Sequence, residues 1–338
     1  MPNPRHWSSW IAELAGKPVD FATPTSVEQI RASARATGAL LESVGTPLPI
    51  PDLARVHERV VLRERQGVPL TAEVYVPRGP GPFPVFLYLH GGGWTGGSAR
   101  AVRGQGMRLA AQGFTVVNLE YGLAPEHPFP WAVEDCIYAA RWAVRNASSL
   151  DGDPRELFIG GESAGANLSA ATIVALTGDQ RDGLDEGDLA GVPVNFGGAV
   201  LFYGVFDFPL TFREPGGNVG SIEVRWNQAY LGPHFLKLHW HPLVSPIYAP
   251  NLANFPPTYL SCGDRDALLG QSLAMTKALA EGGVPVTLSV VSGLDHAFTG
   301  AEHLLASVRE EIARICSWLA ERRAAKSAGI GQSDHKPP

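Results

Sequence analysis

Apolar and amphipathic segments alternate along most of the chain, and this alternation predicts its fold. Short apolar runs bounded by glycine or proline predict buried strands, whereas longer segments with apolar residues three and four positions apart predict helices. In chain order, the central predicted elements are a strand at Phe83–Leu89, a helix at Ala101–Gln112, a strand at Phe114–Leu119, a helix at Trp131–Asn146, a strand that ends at Ile159, a helix that ends at Leu176 and a strand at Gly198–Tyr203. Strands that alternate with helices in this way form a parallel sheet with both faces covered.

The alternation continues on both sides of this central part. Two strands predicted at Val56–Glu64 and Pro69–Val76 meet at Gln66-Gly67, which indicates an antiparallel hairpin at the edge of the sheet. After residue 250, the predicted elements are strands at Pro257–Cys262 and Val284–Val291 and helices at Leu269–Ala280 and His303–Ala320. The predicted fold class is α/β, with a mostly parallel sheet and helices on both faces.

Two segments depart from the alternation and are interpreted as a mainly helical cap. Residues 205–250 are rich in aromatic residues, proline and glycine, a composition typical of a lid at the carboxyl edge of a sheet. An amphipathic helix nearer the start of the chain begins with a capping box at Ser26 and Gln29 and ends near Gly45. The predicted parts of the chain are a cap segment at 1–50, core at 51–204, a cap insertion at 205–250, core at 251–322 and a polar, flexible tail at 323–338.

Length, charge and cysteine content restrict the classes of function. A chain of 338 residues is long enough for one core domain with an added cap, and a net charge of −6 with interspersed signs indicates no surface for nucleic acid. The first ten residues lack the apolar part of a secretion signal, and no run of about 18 apolar residues occurs, so we expect a cytoplasmic protein without a membrane segment. The scattered cysteines fit buried free thiols: Cys136, Cys262 and Cys316.

The first candidate for chemistry is the segment Gly161-Glu162-Ser163-Ala164-Gly165, between a predicted strand and a predicted helix. Its Gly-x-Ser-x-Gly pattern is typical of a nucleophile elbow, a sharp turn that holds the serine hydroxyl above the sheet and leaves no room for side chains at the two glycines. The helix behind the serine directs N–H groups towards developing negative charge. The pattern alone is weak, because ordinary strand-to-helix turns also use glycine and serine.

A second motif, His90-Gly91-Gly92-Gly93-Trp94, follows another apolar strand, and its three glycines allow the backbone to approach a ligand closely. The two motifs together resemble the hormone-sensitive-lipase-like branch, bacterial family IV, of the carboxylesterases with the α/β-hydrolase fold, over roughly residues 55 to 320. Glu162 stands where many members of that family have Asp.

A third segment, Tyr121–Pro130, resembles the Tyr-Arg-Leu-Ala-Pro-Glu motif of the same family, but Gly122 replaces the arginine. Because the side chain that would anchor this loop is missing, we assign the segment no functional role.

A serine nucleophile needs a general base, and the base needs an acid that holds its tautomer. The chain order of the family, serine then acid then histidine, limits the acid to Asp264 or Asp266, which follow the strand that ends at Cys262. The resemblance selects Asp266, two residues before a leucine, and leaves Asp264 as the alternative. For Asp264, capping of the helix that follows is the preferred interpretation.

Among the ten histidines, the resemblance selects His296 as the base, because Gly293–Phe298 matches the family's Gly-x-x-His-x-Phe segment after the last core strand. His90 precedes the serine, and we assign it to the orientation of the glycine loop. His239 and His241 have the spacing of a metal pair, but no third ligand accompanies them, so no metal site is predicted.

The backbone N–H groups of Gly91, Gly92 and Ala164 are expected to form an oxyanion hole. Four aromatic residues near the motifs and in the cap are expected to enclose a small substrate pocket: Trp94, Phe206, Trp226 and Phe298.

These features predict a serine carboxylesterase that hydrolyses short-chain acyl esters through an acyl-enzyme intermediate, without a metal or organic cofactor. Its expected partner is a small-molecule ester; the sequence leaves the oligomeric state open, a homodimer included. One alternative is an amidase, lactonase or deacetylase with the same triad, because fold and triad do not select the leaving group. A non-catalytic small-molecule receptor on the same scaffold is a second alternative, and His296 argues against it because such receptors lack the base.

Overall fold

A computed structural model describes residues 49–179, 181–211, 222–232 and 235–330. Its centre is a sheet whose eight strands are β1 (Arg55–Arg65), β2 (Val68–Val76), β3 (Phe83–Leu89), β4 (Thr115–Glu120), β5 (Gly152–Glu162), β6 (Phe196–Phe202), β7 (Thr258–Gly263) and β8 (Val286–Val291). Their order across the sheet is β1-β2-β4-β3-β5-β6-β7-β8. The two pairs that include β2 are antiparallel, and every other pair is parallel. The mostly parallel sheet and the edge hairpin are therefore as predicted.

Helices cover both faces of the sheet, which confirms the predicted fold class. In chain order they are α1 (Arg103–Ala111), α2 (Trp131–Asn146), α3 (Ala164–Thr177), α4 (Phe208–Thr211), α5 (Ile222–Leu231), α6 (Phe235–Leu238), α7 (Leu269–Glu281) and α8 (Ala306–Ile330). Successive side chains of a strand point to opposite faces. On β3, Val85, Leu87 and Leu89 accordingly pack with α2 and α3, whereas Phe86 and Tyr88 pack with α1 and α8.

Three element boundaries differ from the prediction by three residues or more. The last helix begins at Ala306 rather than His303 and continues to Ile330 rather than ending at Ala320. Its last ten residues are mostly charged or small, so no apolar periodicity marks them as helical. Strand β5 extends past Ile159 to Glu162, directly before the candidate nucleophile.

Part of the predicted cap lies within the described residues. Helices α4 to α6 belong to the insertion at 205–250, as expected for a mainly helical cap. The amphipathic helix predicted from Ser26 to Gly45 and the end of the tail, from residue 331, lie outside the described residues. Among the helices that the structure describes, none combines the length and the apolar character needed to cross a membrane.

Buried amide side chains connect the insertion to the core. Asn167 on α3 donates hydrogen bonds from Nδ2 to the carbonyl oxygens of Val205 and Val244, both at 2.8 Å. Gln271 on α7 accepts the backbone N–H of Phe206 at 2.8 Å through Oε1. Asn167 and Gln271 are both fully buried. The two ends of the insertion are thus fixed to the helix that follows the nucleophile elbow.

We expect Asn167→Ala to lower the free energy of unfolding by about 1–3 kcal/mol, because two buried carbonyl groups lose their donor. Asn146→Ala is the matched control: its Nδ2 donates to a single carbonyl, that of Trp142, at 2.9 Å and at a half-buried helix end. Urea denaturation should show the smaller loss, about 1 kcal/mol or less, for Asn146→Ala. Equal losses in the two variants would contradict the anchoring role of Asn167.

Candidate active site

Ser163 lies on the sharp turn between β5 and α3, with φ 53° and ψ −114°. This backbone conformation is unfavourable for a residue with a side chain, and the neighbouring strand enforces it. A Cβ atom on Gly161 or Gly165 would lie 2.2 or 2.1 Å from the carbonyl oxygen of Leu89 on β3. Only glycine fits at either position, so the elbow packs backbone against backbone on β3.

The structure brings Ser163, His296 and Asp266 together in one chain of hydrogen bonds. Nε2 of His296 lies 3.0 Å from Oγ of Ser163, and Nδ1 of His296 lies 2.8 Å from Oδ2 of Asp266. The Asp266 side chain is fully buried, whereas the imidazole is 35% exposed. A carboxylate accepts hydrogen bonds, so Nδ1 carries the proton and the lone pair of Nε2 faces the serine hydroxyl.

The alternative acid, Asp264, has other partners. Its carboxylate accepts the backbone N–H of Gly293 at 2.7 Å and the hydroxyl of Ser292 at 3.0 Å. These bonds hold the pKa of Asp264 below its usual value, and the bond from Ser292 has the largest effect. Asp264 therefore ties the turn after β7 to the start of the loop that carries His296, and its interpretation as a cap of the following helix is wrong.

The glycine loop lies beside the nucleophile. A Cβ atom on Gly91 would be 3.5 Å from Cβ of Ser163, and Gly92, with φ 121°, closes a tight turn by accepting the N–H of Gly96 at 3.0 Å. Among the backbone hydrogen bonds of the described turns and loops, none is donated by the N–H groups of Gly91, Gly92 or Ala164. These three groups are suited to bind an oxygen that carries negative charge.

His90 holds the start of this loop, as the sequence predicts. Its Nδ1 lies 2.7 Å from the carbonyl oxygen of Gly91, and its ring stacks on Tyr121 with centroids 4.2 Å apart. The hydroxyl of Tyr121 donates to the carbonyl oxygen of His90 at 2.8 Å. Burial lowers the pKa of His90 to about 4, so the ring is neutral at neutral pH.

The segment Tyr121–Pro130 therefore has a positioning role, contrary to our prediction. The backbone N–H of Gly122 donates to Asp135 at 2.9 Å, and the ring of Trp131 fills the space beside Gly122. The guanidinium of Arg65 lies 3.8 Å from the centre of a Trp131 ring. The hydrogen bond that anchors this loop thus comes from Asp135 on α2, and Arg65 of β1 packs on Trp131 behind it.

A family model of the α/β-hydrolase fold matches residues 86–300. The chain belongs to the hormone-sensitive-lipase-like branch of this family. The carboxylesterase NlhH of Mycobacterium tuberculosis is 27% identical over 314 residues, which cover 88% of this chain and 90% of NlhH. The carboxylic ester hydrolase LipN of the same organism is 30% identical over 73% of this chain and 68% of LipN. A hyperthermophilic esterase from Pyrobaculum calidifontis superposes with a TM-score of 0.73 at 26% identity, covering 94% of this chain and 97% of its own. These relatives support ester hydrolysis as the reaction of this hydrolase.

Three of the four predicted pocket residues lie on the cap side of the hydrolase. Trp94 is 2% exposed and stacks on Tyr230 of α5, with ring centroids 4.7 Å apart. Trp226, also on α5, packs on Gly93, and Phe206 is fully buried in the same apolar cluster as Trp94.

Phe298 corrects the prediction, because it belongs to the apolar cluster on the opposite face. Its ring lies 5.0 Å from that of Tyr203, which in turn lies edge-on to His296 at 4.9 Å. Phe298 thus supports the loop that carries His296, and sequence reasoning missed Tyr203 altogether. The one sequence feature that could have indicated Tyr203 is its position directly after β6, the strand next to the elbow. In the part of the chain that the structure describes, no three His, Cys, Asp or Glu side chains are grouped to hold a metal ion.

Burial of His90 should make the stability of this hydrolase depend on pH. The pKa of His90 is about 4 in the folded state against 6.5 for a free side chain, so the unfolded chain binds a proton first as the pH falls. Between pH 7.5 and 5 this residue should remove about 2 kcal/mol from the free energy of unfolding.

Urea denaturation at the two pH values tests this expectation. The decrease should be smaller in His90→Asn than in the wild type and unchanged in His57→Asn, which alters an exposed histidine. The same decrease in all three proteins would contradict it.

Proposed function

We propose that this hydrolase cleaves short-chain acyl esters through an acyl-enzyme intermediate on Ser163. The observation that carries the proposal is the pair of hydrogen bonds from Asp266 through His296 to Ser163, at 2.8 and 3.0 Å. A serine hydroxyl is a weak nucleophile unless a base takes its proton, and the lone pair of Nε2 is at the right distance to do so.

In the first half of the reaction, Oγ of Ser163 attacks the carbonyl carbon of the ester while its proton moves to Nε2 of His296. The buried carboxylate of Asp266 stabilises the imidazolium that results and holds the ring in place. His296 then gives the proton to the leaving alkoxide, and the acyl group remains on Ser163. Water, deprotonated by His296, attacks this acyl-enzyme. The bond between the acyl carbon and Oγ of Ser163 then breaks, His296 returns the proton to Oγ, and the carboxylic acid leaves.

The carbonyl oxygen becomes negatively charged in both halves of the reaction. The N–H groups of Gly91, Gly92 and Ala164 are the proposed donors to it, supported by the position of Gly91 beside Ser163 and by the place of Ala164 at the start of α3. The turn around Gly92 holds the first two donors in position before a substrate binds, so no reorganisation is needed in the transition state.

The preference for short acyl chains follows from how the cap packs on the glycine loop. Trp226 lies against Gly93. Trp94, the residue after Gly93, is buried and stacks on Tyr230. Three large rings packed at the glycine loop, whose residue Gly91 lies beside Ser163, favour a small pocket over one for a long chain. An amide or a lactone uses the same triad, so the choice of scissile bond rests on the esterase relatives.

We expect Ser163→Ala and His296→Ala to lower kcat for p-nitrophenyl butyrate by about 10⁴-fold or more, because the nucleophile or its base is removed. Asp266→Asn should cost about 10³- to 10⁴-fold, since the imidazole loses its tautomer and its counter-charge. Asp264→Asn is the matched control and should cost less than about tenfold, because Asp264 bonds the loop and not the imidazole, and the oxygen of an asparagine still accepts hydrogen bonds from Ser292 and Gly293. A larger loss for Asp264→Asn than for Asp266→Asn would reverse the assignment of the acid.

Chain-length preference is measured on acetate, butyrate, octanoate and palmitate esters beside matched amides and lactones. The proposal predicts the highest kcat/KM for acetate or butyrate. Faster turnover of the palmitate ester would contradict the short-chain preference. Faster turnover of an amide or a lactone would indicate that the chain is an amidase or a lactonase instead.

Gly92→Ala tests the oxyanion donors. The new Cβ would lie 2.3 Å from the carbonyl oxygen of Gly96, which forces the turn to open, so we expect kcat to fall about 10²- to 10³-fold. Gly79→Ala is the matched control: φ is similar, 110° against 121°, but nothing lies within 4 Å of the added Cβ. Gly79→Ala should lose about 1 kcal/mol of stability through backbone strain alone, Gly92→Ala should lose more because of its clash, and only Gly92→Ala should lose activity. Comparable kcat values for the two variants would argue against a role of this turn in catalysis.

A further inference from the structure

The carboxylate of Glu162, directly before the nucleophile, joins Tyr203, whose ring packs against His296, to Thr299, which lies three residues after His296. Its Oε2 accepts the hydroxyl of Tyr203 at 2.8 Å and also the hydroxyl of Thr299. The two hydroxyl oxygens are themselves in contact, so the three groups form a closed triangle. The triangle connects the ends of β5 and β6 with the segment that follows His296, three points that are far apart in sequence.

Proton counting shows why a carboxylate is needed in this triangle. Tyrosine and threonine hydroxyls each have one proton to donate, and an ionised carboxylate oxygen accepts both. Burial, the main cause, and the charge of Glu162, the next, raise the pKa of Tyr203 well above its usual value, so its hydroxyl keeps its proton at neutral pH. A neutral side chain at position 162 would offer a weaker acceptor to the same two donors.

Tyr203 forms the surface against which His296 packs. Its backbone has φ 37°, an unfavourable conformation that persists only where surrounding contacts enforce it. Its ring meets that of His296 edge-on, with centroids 4.9 Å apart and planes at 66°. The hydrogen bond to Glu162 holds the far end of the Tyr203 side chain, and so fixes the position of the ring.

Thr299 holds the segment that follows His296. It lies three residues after His296, in a one-turn helix at Phe298–Ala301 that follows the left-handed residue Ala297. The start of the same loop is held by Asp264 through Ser292 and Gly293. The loop is thus tied at its start to the turn after β7 and at its end to the elbow, with His296 between the two attachments.

From this arrangement we infer that Glu162 is a positioning residue for the base: through Tyr203 and Thr299 it fixes the imidazole of His296 relative to Ser163. The inference rests on the proposed function, in which His296 takes the proton of Ser163. The sequence alone shows only that Glu162 stands where many relatives have Asp, and the structure shows what the longer side chain reaches. Displacement of a catalytic group by about 1 Å typically costs about 10²-fold in rate.

The first test measures kcat and KM separately, with p-nitrophenyl butyrate as substrate, in four variants: Glu162→Ala, Glu162→Gln, Tyr203→Phe and Thr299→Val. We expect kcat to fall about 10- to 100-fold in Glu162→Ala and by less in the other three, with KM within about twofold of the wild type. The double variant Glu162→Ala with Thr299→Val should lose no more than Glu162→Ala alone, because both changes break the same connection.

Glu311→Gln is the matched control for Glu162→Gln. Glu311 is a buried carboxylate on α8 whose Oε1 also accepts two hydroxyls, those of Tyr259 at 3.2 Å and Ser261 at 2.7 Å. Its Oε2 bonds Ser289 and Arg314, and none of these partners belongs to the triad. Glu311→Gln should lower thermal stability and leave kcat within about twofold. If kcat falls equally in both glutamine variants, the effect is general destabilisation, and the inference is wrong.

The second test does not depend on the substrate. In the wild type, the Nδ1 proton of His296 is held between the imidazole and the buried Asp266, so it should give a low-field proton resonance that exchanges slowly with water and disappears in His296→Ala. We expect this resonance to broaden or vanish in Glu162→Ala and to persist in Glu311→Gln. If the resonance is unchanged in Glu162→Ala, the inference is overturned whatever the enzyme hydrolyses. If the resonance behaves as expected but the wild type cleaves no ester, the proposed function fails and the positioning of His296 stands.

Discussion

The contact on which the rest of the active site depends is the one between the backbone of β3 and the nucleophile elbow. The carbonyl oxygen of Leu89 lies so close to Gly161 and Gly165 that no side chain fits at either position. In the sheet, Leu89 is paired with Gly161, so the end of β3 and the end of β5 lie at the same level. The glycine loop that leaves β3 and the serine that follows β5 are therefore adjacent. One packing constraint therefore fixes the positions of both the nucleophile and the candidate oxyanion donors.

The base reaches this site from the other half of the sheet, and its position depends on carboxylates. His296 follows β8, which is separated from β5 by β6 and β7, so no strand pairing places it next to Ser163. Asp266 bonds the imidazole itself, Asp264 holds the start of its loop, and Glu162 holds Thr299 beyond it. Carboxylates suit this work because one oxygen can accept two donors and so join separate segments.

Local patterns were sufficient for most of the elements, whereas Asp266 and His296 were selected by the resemblance to a known family. The alternation of strands and helices gives the sheet, and the Gly-x-Ser-x-Gly and His-Gly-Gly-Gly motifs mark the ends of β5 and β3, because the chemistry requires unusual backbone there. The supports of the site could not be found in this way. Tyr121 braces His90, and Phe298 packs away from the pocket, through contacts between segments distant in sequence. The end of α8 was missed for a different reason, since its last turns have no apolar face to reveal them.

Mass spectrometry of the enzyme quenched with acid shortly after mixing with p-nitrophenyl acetate tests the central claim most directly. With so good a leaving group, acylation outpaces deacylation and the acyl-enzyme accumulates. The account predicts one acetyl group per chain, on the peptide that contains Ser163, and no acetylation of that peptide in His296→Ala. Steady hydrolysis without acetylation of Ser163, or with the acetyl group on another residue, would contradict it.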